Sequence, residues 1–130
     1  MGSSYKNRQS ANVLTPINDL ILVAGTFTTD GSGNPVTLNP TSGYAFTITR
    51  SGTGVYKVTL SDKAVAFMFG QASAISAAVS FAKVTAQDLT VPSVDFTFYT
   101  ESAGTFAAAN QLSATIHFVI GLGAGKRQSF

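Results

Sequence analysis

Apolar and polar positions alternate most cleanly over residues 44–60. Tyr44, Phe46 and Ile48 fall on one face, Ser51-Gly52-Thr53-Gly54 interrupts, and Tyr56, Val58 and Leu60 fall on one face of the return. Strand side chains point to alternate faces, and the two glycines supply the backbone a tight reversal needs, so this segment predicts a β-hairpin. The same period predicts a strand in which Val94, Phe96 and Phe98 oppose Asp95, Thr97 and Tyr99. A further strand is expected over Leu112 to Leu122, with Ala114, Ile116, Phe118 and Ile120 inward and Ser113, Thr115 and His117 outward. Leu20 to Thr29 predicts another, whose first half, Leu20-Ile21-Leu22-Val23, is apolar on both faces, and Asp30-Gly31-Ser32-Gly33-Asn34-Pro35 predicts the turn that ends it.

Two stretches carry weaker signals. Ala64 to Ala82 is 19 residues without a charge, but Gly70, Gln71, Ser73, Ser76 and Ser80 make it too polar for a membrane span. It is expected to hold a loop or helical turn at Ala64 to Gly70 and a strand from Ala72 to Val84, on which Ile75, Ala77, Val79 and Phe81 alternate with small or polar residues; a short helix is the competing assignment. Ala103-Gly104 begins a loop to Asn110, with one helical turn expected at Phe106 to Ala109. Six or seven strands in a chain of 130 residues predict an all-β fold, an antiparallel, jelly-roll-like β-sandwich, because one face of each sheet must be covered. The expected organisation is an extended N-terminal arm (1–18), a β-sandwich domain (19–122) and a flexible C-terminal tail (123–130).

Composition sharpens this picture. Charged residues make up 11% of the chain, against about one-quarter in an ordinary soluble domain, and 16 Thr and 14 Ser take their place. Charge depletion marks the centre of protein interfaces, so neighbouring subunits are expected to cover much of the surface; a monomer kept soluble by hydroxyls is the alternative. The charge is also unevenly placed. Lys6 and Arg8 stand near the start with no acid, Lys126 and Arg127 near the end with none, and a slightly acidic body lies between. Such basic pairs are too few for a specific nucleic-acid site. The first 19 residues contain no apolar run of the length a secretory signal requires.

Side-chain chemistry is sparse. No Cys is present, which excludes disulfides, thiolate metal sites and a thiol nucleophile, and His117 is the single His. Gly121-Leu122-Gly123-Ala124-Gly125-Lys126 looks like a phosphate-binding loop. Ile120 stands where that loop's first Gly belongs, however, and Arg127 stands where it needs Ser or Thr. Asp19, Asp30, Asp62, Asp88, Asp95 and Glu101 are scattered and suit turns and strand ends better than paired acid–base work. Asn39-Pro40-Thr41 has proline at the position that blocks glycosylation. Neither catalysis nor a cofactor is expected. The arm and tail supply the candidate interface residues Tyr5, Lys6, Arg8, Val13, Leu14, Lys126, Arg127 and Phe130, with Tyr99 and Phe106 as further aromatic anchors unless they belong to the core.

Gly54-Val55-Tyr56-Lys57-Val58-Thr59-Leu60-Ser61-Asp62-Lys63 resembles a strand-and-turn pattern, Gly-x-Tyr-x-Val-Thr-Leu and then a short Asp-containing turn, of small structural proteins of tailed-bacteriophage virions. Ala103-Gly104-Thr105-Phe106-Ala107-Ala108-Ala109-Asn110, leading into Ile116-His117-Phe118-Val119-Ile120, is similar to the closing loop and strand of the same group. The likeness spans about residues 20 to 122 and departs at Gly121 to Gly125. It implies a non-enzymatic capsid decoration, or cement, protein. Such a protein is made in the host cytoplasm and sits on the capsid surface as a homo-oligomer, often a trimer, bound to the major capsid protein. A carbohydrate- or receptor-binding β-sandwich of a phage fibre or other virion appendage is the alternative, against which the lack of Trp counts mildly.

Overall fold

The computed structural model describes residues 20–61 and 66–123. Nine strands and no helix make up these residues: β1 (Leu20–Thr29), β2 (Pro35–Pro40), β3 (Phe46–Gly52), β4 (Val55–Leu60), β5 (Ala66–Ile75), β6 (Ser80–Asp88), β7 (Ser93–Ser102), β8 (Thr105–Ala108) and β9 (Thr115–Gly123). They form two antiparallel sheets. The first has the order β2-β1-β9-β5; the second has the order β3-β4-β7-β6, with β8 pairing the far end of β7. The chain's first and last described strands therefore pair at the centre of one sheet, Leu20 opposite Gly123 through Thr28 opposite Thr115.

The expected alternation supplies the core. Val23, Phe27, Ile116, Phe118, Ile120 and Leu122 of the first sheet face Phe46, Ile48, Tyr56, Val58, Leu60, Val94, Phe96 and Phe98 of the second. A chain of rings crosses the gap. Phe98 meets Tyr56 edge-on at 5.7 Å, Tyr56 meets Phe27 at 5.6 Å, Phe27 meets Phe118 at 6.4 Å and Phe118 meets Phe46 at 4.8 Å. Each buried ring contributes about 1.5–3 kcal/mol of transfer free energy, so this chain links the two sheets strongly. Gly25 makes room for it, since a Cβ there would stand 2.5 Å from the Phe46 ring.

Tyr56 also anchors a buried polar knot at one end of the sandwich. Its hydroxyl donates to the Gly33 carbonyl at 2.7 Å and accepts from the Gln111 amide at 3.1 Å. Buried Thr29 donates to the Gln111 carbonyl at 2.6 Å and accepts from the Ala114 amide at 2.9 Å. Asn110 accepts from the Gly54 amide at 2.8 Å. Three chain reversals, after β1, between β3 and β4, and before β9, are thus joined through side chains. Gly54 (φ +74°) sits where β4 and β8 meet along β7. A Cβ there would fall 2.8 Å from backbone atoms of Ala109 and Phe98, so only glycine fits.

The all-β antiparallel sandwich is as expected, but several segments differ from the sequence-based expectations. The single strand over Ala72 to Val84 is instead the end of β5, a bend at Ser76 to Ala78 and the start of β6. Ile75 and Val79 stay exposed on either side of this bend, so the apparent period ran straight through a reversal. The residues expected as a loop or helical turn before Gly70 belong to β5 from Ala66 onward. Phe106 to Ala109 is not a helical turn. Thr105–Ala108 is strand β8, because Ala103 (φ +53°) and Gly104 (φ +83°) close a two-residue hairpin with β7. Tyr44 precedes β3 instead of sharing its face, and Pro35–Pro40 forms an edge strand, the setting in which proline is tolerated.

Burial pushes the Tyr56 phenol above its ordinary pKa of 10.0, against smaller opposing effects of the Gln111 amide and Arg50. The folded state therefore holds this proton more tightly than the unfolded chain does. The resulting stability is fully present below about pH 10 and is lost as pH rises through the elevated folded value. Tyr56→Phe leaves the Gly33 carbonyl and Gln111 amide without their partner. It should cost about 1–3 kcal/mol at neutral pH and make the loss of stability above pH 10 shallower, both measured by urea denaturation across pH.

Candidate interaction surface

Three of the four described carboxylates, those of Asp30, Asp88 and Glu101, are occupied locally. The Asp30 carboxylate accepts from the Ser32 amide at 2.8 Å and the Asn34 amide at 2.9 Å, and these bonds, that of Asn34 foremost, hold its pKa below the usual value. Asp88 accepts from the Thr90 amide and Glu101 from the Gly104 amide, at 2.8 and 2.7 Å. These are the turn roles their positions suggested; Asp19 and Asp62 lie outside the described residues. Among the described residues, no three His, Asp or Glu side chains gather to hold a metal ion.

The sheets divide the charge unequally. Arg50, Lys57, Lys83, Asp88, Asp95 and Glu101 all lie in the second sheet. The four strands of the first sheet contain no Asp, Glu, Lys or Arg at all. Register turns the outward side chains of β1, β9 and β5 into rows, apolar at the Leu20 end and mostly polar beyond it: Leu20, Gly123 and Ala66; Leu22, Gly121 and Phe69; Ala24, Val119 and Gln71; Thr26, His117 and Ser73; Thr28, Thr115 and exposed Ile75. Leu22 and Phe69 stand 44% and 41% exposed. The Phe69 ring lies against Gly121, whose added Cβ would come within 2.2 Å of it, so glycine near the end of β9 seats an aromatic on its neighbour. Toward the polar end, Gln71, Ser73, His117 and Val119 line a shallow open groove of about 320 Å³. His117 faces outward as expected, between Thr26 and Ser73.

The second sheet presents a different outer face. Phe81 stacks on Tyr99 at 5.2 Å, Phe106 meets Phe81 edge-on at 5.0 Å, and the Lys83 ammonium lies 5.7 Å from the Tyr99 ring centre. Tyr99 and Phe106 are therefore surface aromatics outside the core, and their packing holds the short β8 hairpin on its sheet.

The candidate residues Tyr5, Lys6, Arg8, Val13, Leu14, Lys126, Arg127 and Phe130 lie outside the described residues, with almost all of the expected arm and tail. Leu20 and Gly123, through which the chain enters and leaves, pair at the apolar end of the uncharged face. The sequence does not single out Leu22 and Phe69 as a pair, and it presents Gly121 only as the start of a glycine-rich run. The available signal was the run Leu20 to Val23, apolar on both faces in a sheet with only one buried face. In comparisons with family models, curated proteins and solved structures, no family, relative or structural neighbour matches the chain.

The Phe69–Gly121 contact is testable as a pair. Gly121→Ala should destabilise the fold by about 1–3 kcal/mol by overpacking. In the Phe69→Ala background the same substitution should cost at least about 0.5 kcal/mol less, a coupling read by a double-mutant cycle in chemical denaturation.

Proposed function

We propose that this chain is a non-enzymatic structural protein of a virus particle, specifically a capsid decoration protein that acts as a homo-oligomer, the trimer being the form its resemblance implies. It binds the major capsid protein lattice on the outside of the head and stabilises it. One observation carries this proposal: the first sheet lacks charge entirely and exposes an apolar patch, Leu20, Leu22 and Phe69, on the face turned away from the core. A protein working alone in water gains nothing from such a face, whereas a subunit packed among neighbours buries it without stranding a charge. The scattered, locally bonded carboxylates add weight against catalysis. Many copies on a repeated lattice multiply contacts that are individually weak.

The aromatic cluster of Phe81, Tyr99 and Phe106 favours the alternative, a carbohydrate- or receptor-binding module of a virion appendage, since exposed rings beside a cation suit sugar stacking. Position and copy number separate the two. Electron cryomicroscopy of intact particles should find this protein in many copies at the joints of the capsid lattice; a few copies at a fibre tip, with glycan binding abolished by Phe106→Ala, would favour the alternative. Leu22→Lys should leave thermal stability within about 0.5 kcal/mol of wild type, as for an ordinary surface substitution, yet reduce rebinding to stripped particles at least tenfold. Undiminished rebinding would remove the uncharged face from the account.

A further inference from the structure

A two-sheet sandwich has edges, and unpaired edges invite pairing with other chains unless they are guarded. Among the described residues, four edges carry guards. β2 begins and ends with Pro35 and Pro40. β3 carries Arg50 and a bulge between Arg50 and Gly52. β6 carries Lys83, Asp88 and a bulge between Val84 and Ala86. β8 is only four residues long. The remaining edge is β5, ten residues with neither charge nor proline. Its bulge, between Phe67 and Phe69, protects one end and leaves Gly70 to Ile75 straight and in regular register with β9. β6, in the other sheet, packs against it, Val84 lying beside Gly70, but does not pair with it.

We propose that the outer edge of β5 is a self-association site, on which β5 of a second copy of this chain adds antiparallel across a two-fold axis. The occupant follows from the guards. A second copy offers the same five edges, and its β5 alone lacks proline, charge and truncation along a straight run. Main-chain hydrogen bonds then join two four-stranded sheets into one of eight strands. Parity narrows the register. Gln71, Ser73 and Ile75 face outward, Gly70, Ala72 and Ala74 face the core, and opposed residues must share a face, so the axis passes through a residue and not between two. Centring on Ala72 or on Ser73 gives the same five-residue overlap of the straight segment, and the Ser73 register is the one in which an outward side chain meets its own copy. Ser73 then opposes the second copy's Ser73, Gln71 opposes Ile75, and Ala72 opposes Ala74. The contact buries no charge, and it extends the uncharged outer face across both copies. It goes beyond the decoration proposal, because it belongs to the isolated chain whatever particle that chain joins.

The test is sedimentation of the full chain. Ser73→Lys sets two like charges directly opposite each other, and Ser73→Asp does the same with the other sign. Each variant should sediment at half the mass of the wild type with unchanged far-ultraviolet circular dichroism, and an equimolar mixture of the two should recover the wild-type mass. Thr37→Lys, on the guarded β2 edge, should leave the mass unchanged. Equal masses for wild type and both Ser73 variants would overturn the proposal, as would a monomeric wild type. Should the variants not fold, hydrogen exchange of the wild type decides. Amides within residues 70–75 should gain protection as concentration rises, and a concentration-independent pattern there would overturn the proposal. Failure of either kind leaves the position on the particle to be read independently.

Discussion

The hydroxyl of Tyr56 holds the end of the sandwich on which the rest of the arrangement depends. By bonding to Gly33 and Gln111 at once, it ties the turn after β1 to the approach to β9, while its ring sits in the aromatic chain between the sheets. One side chain thus satisfies buried backbone groups and joins the apolar contact between the sheets. A buried polar network of this kind stabilises only when its members are paired, and here Thr29, Asn110 and Gln111 complete it. The knot fixes where β9 begins. It thereby fixes the register that sets Gly121 beneath Phe69 and His117 between Thr26 and Ser73.

The two ends of the first sheet consequently differ in character. At the Thr29 end, backbone and side chains are knitted by hydrogen bonds. At the Leu20 end, the outer face shows leucine and phenylalanine, and charge is absent from the whole sheet. The second sheet carries the described charges other than Asp30, together with the exposed aromatic cluster. A fold that places its wetting groups on one sheet and leaves the other neutral has one face suited to solvent and one suited to packing. This division connects the low overall charge to a particular surface.

Much of the fold was legible because period-two alternation is strong where large apolar residues alternate with Thr or charged residues, as in Phe46 to Leu60 and Ile116 to Ile120. It failed where contrast was low. Alanine fits either face of a sheet, a helix or a bend, and no Gly, Pro, Asn or Asp marks the reversal at Ser76 to Ala78. The β8 hairpin was obscured because Ala103 occupies a left-handed position more often given to Gly or Asn. The interaction face was only half visible. The run Leu20 to Val23 announced an apolar outer side, but the row joining Leu22 to Phe69 exists only through the pairing of β1 and β5 with β9. Such pairing, between residues far apart in sequence, leaves no local trace.

The central claim is that the uncharged sheet is the covered side of the protein in its assembled state, and solvent footprinting tests it most directly. Hydroxyl-radical labelling of the protein on intact particles should modify Leu22, Met68 and Phe69 far less than labelling of the dispersed chain does, while Phe81 and Phe106 change little. Equal labelling of the two faces, or protection confined to Phe81 and Phe106, would contradict the claim.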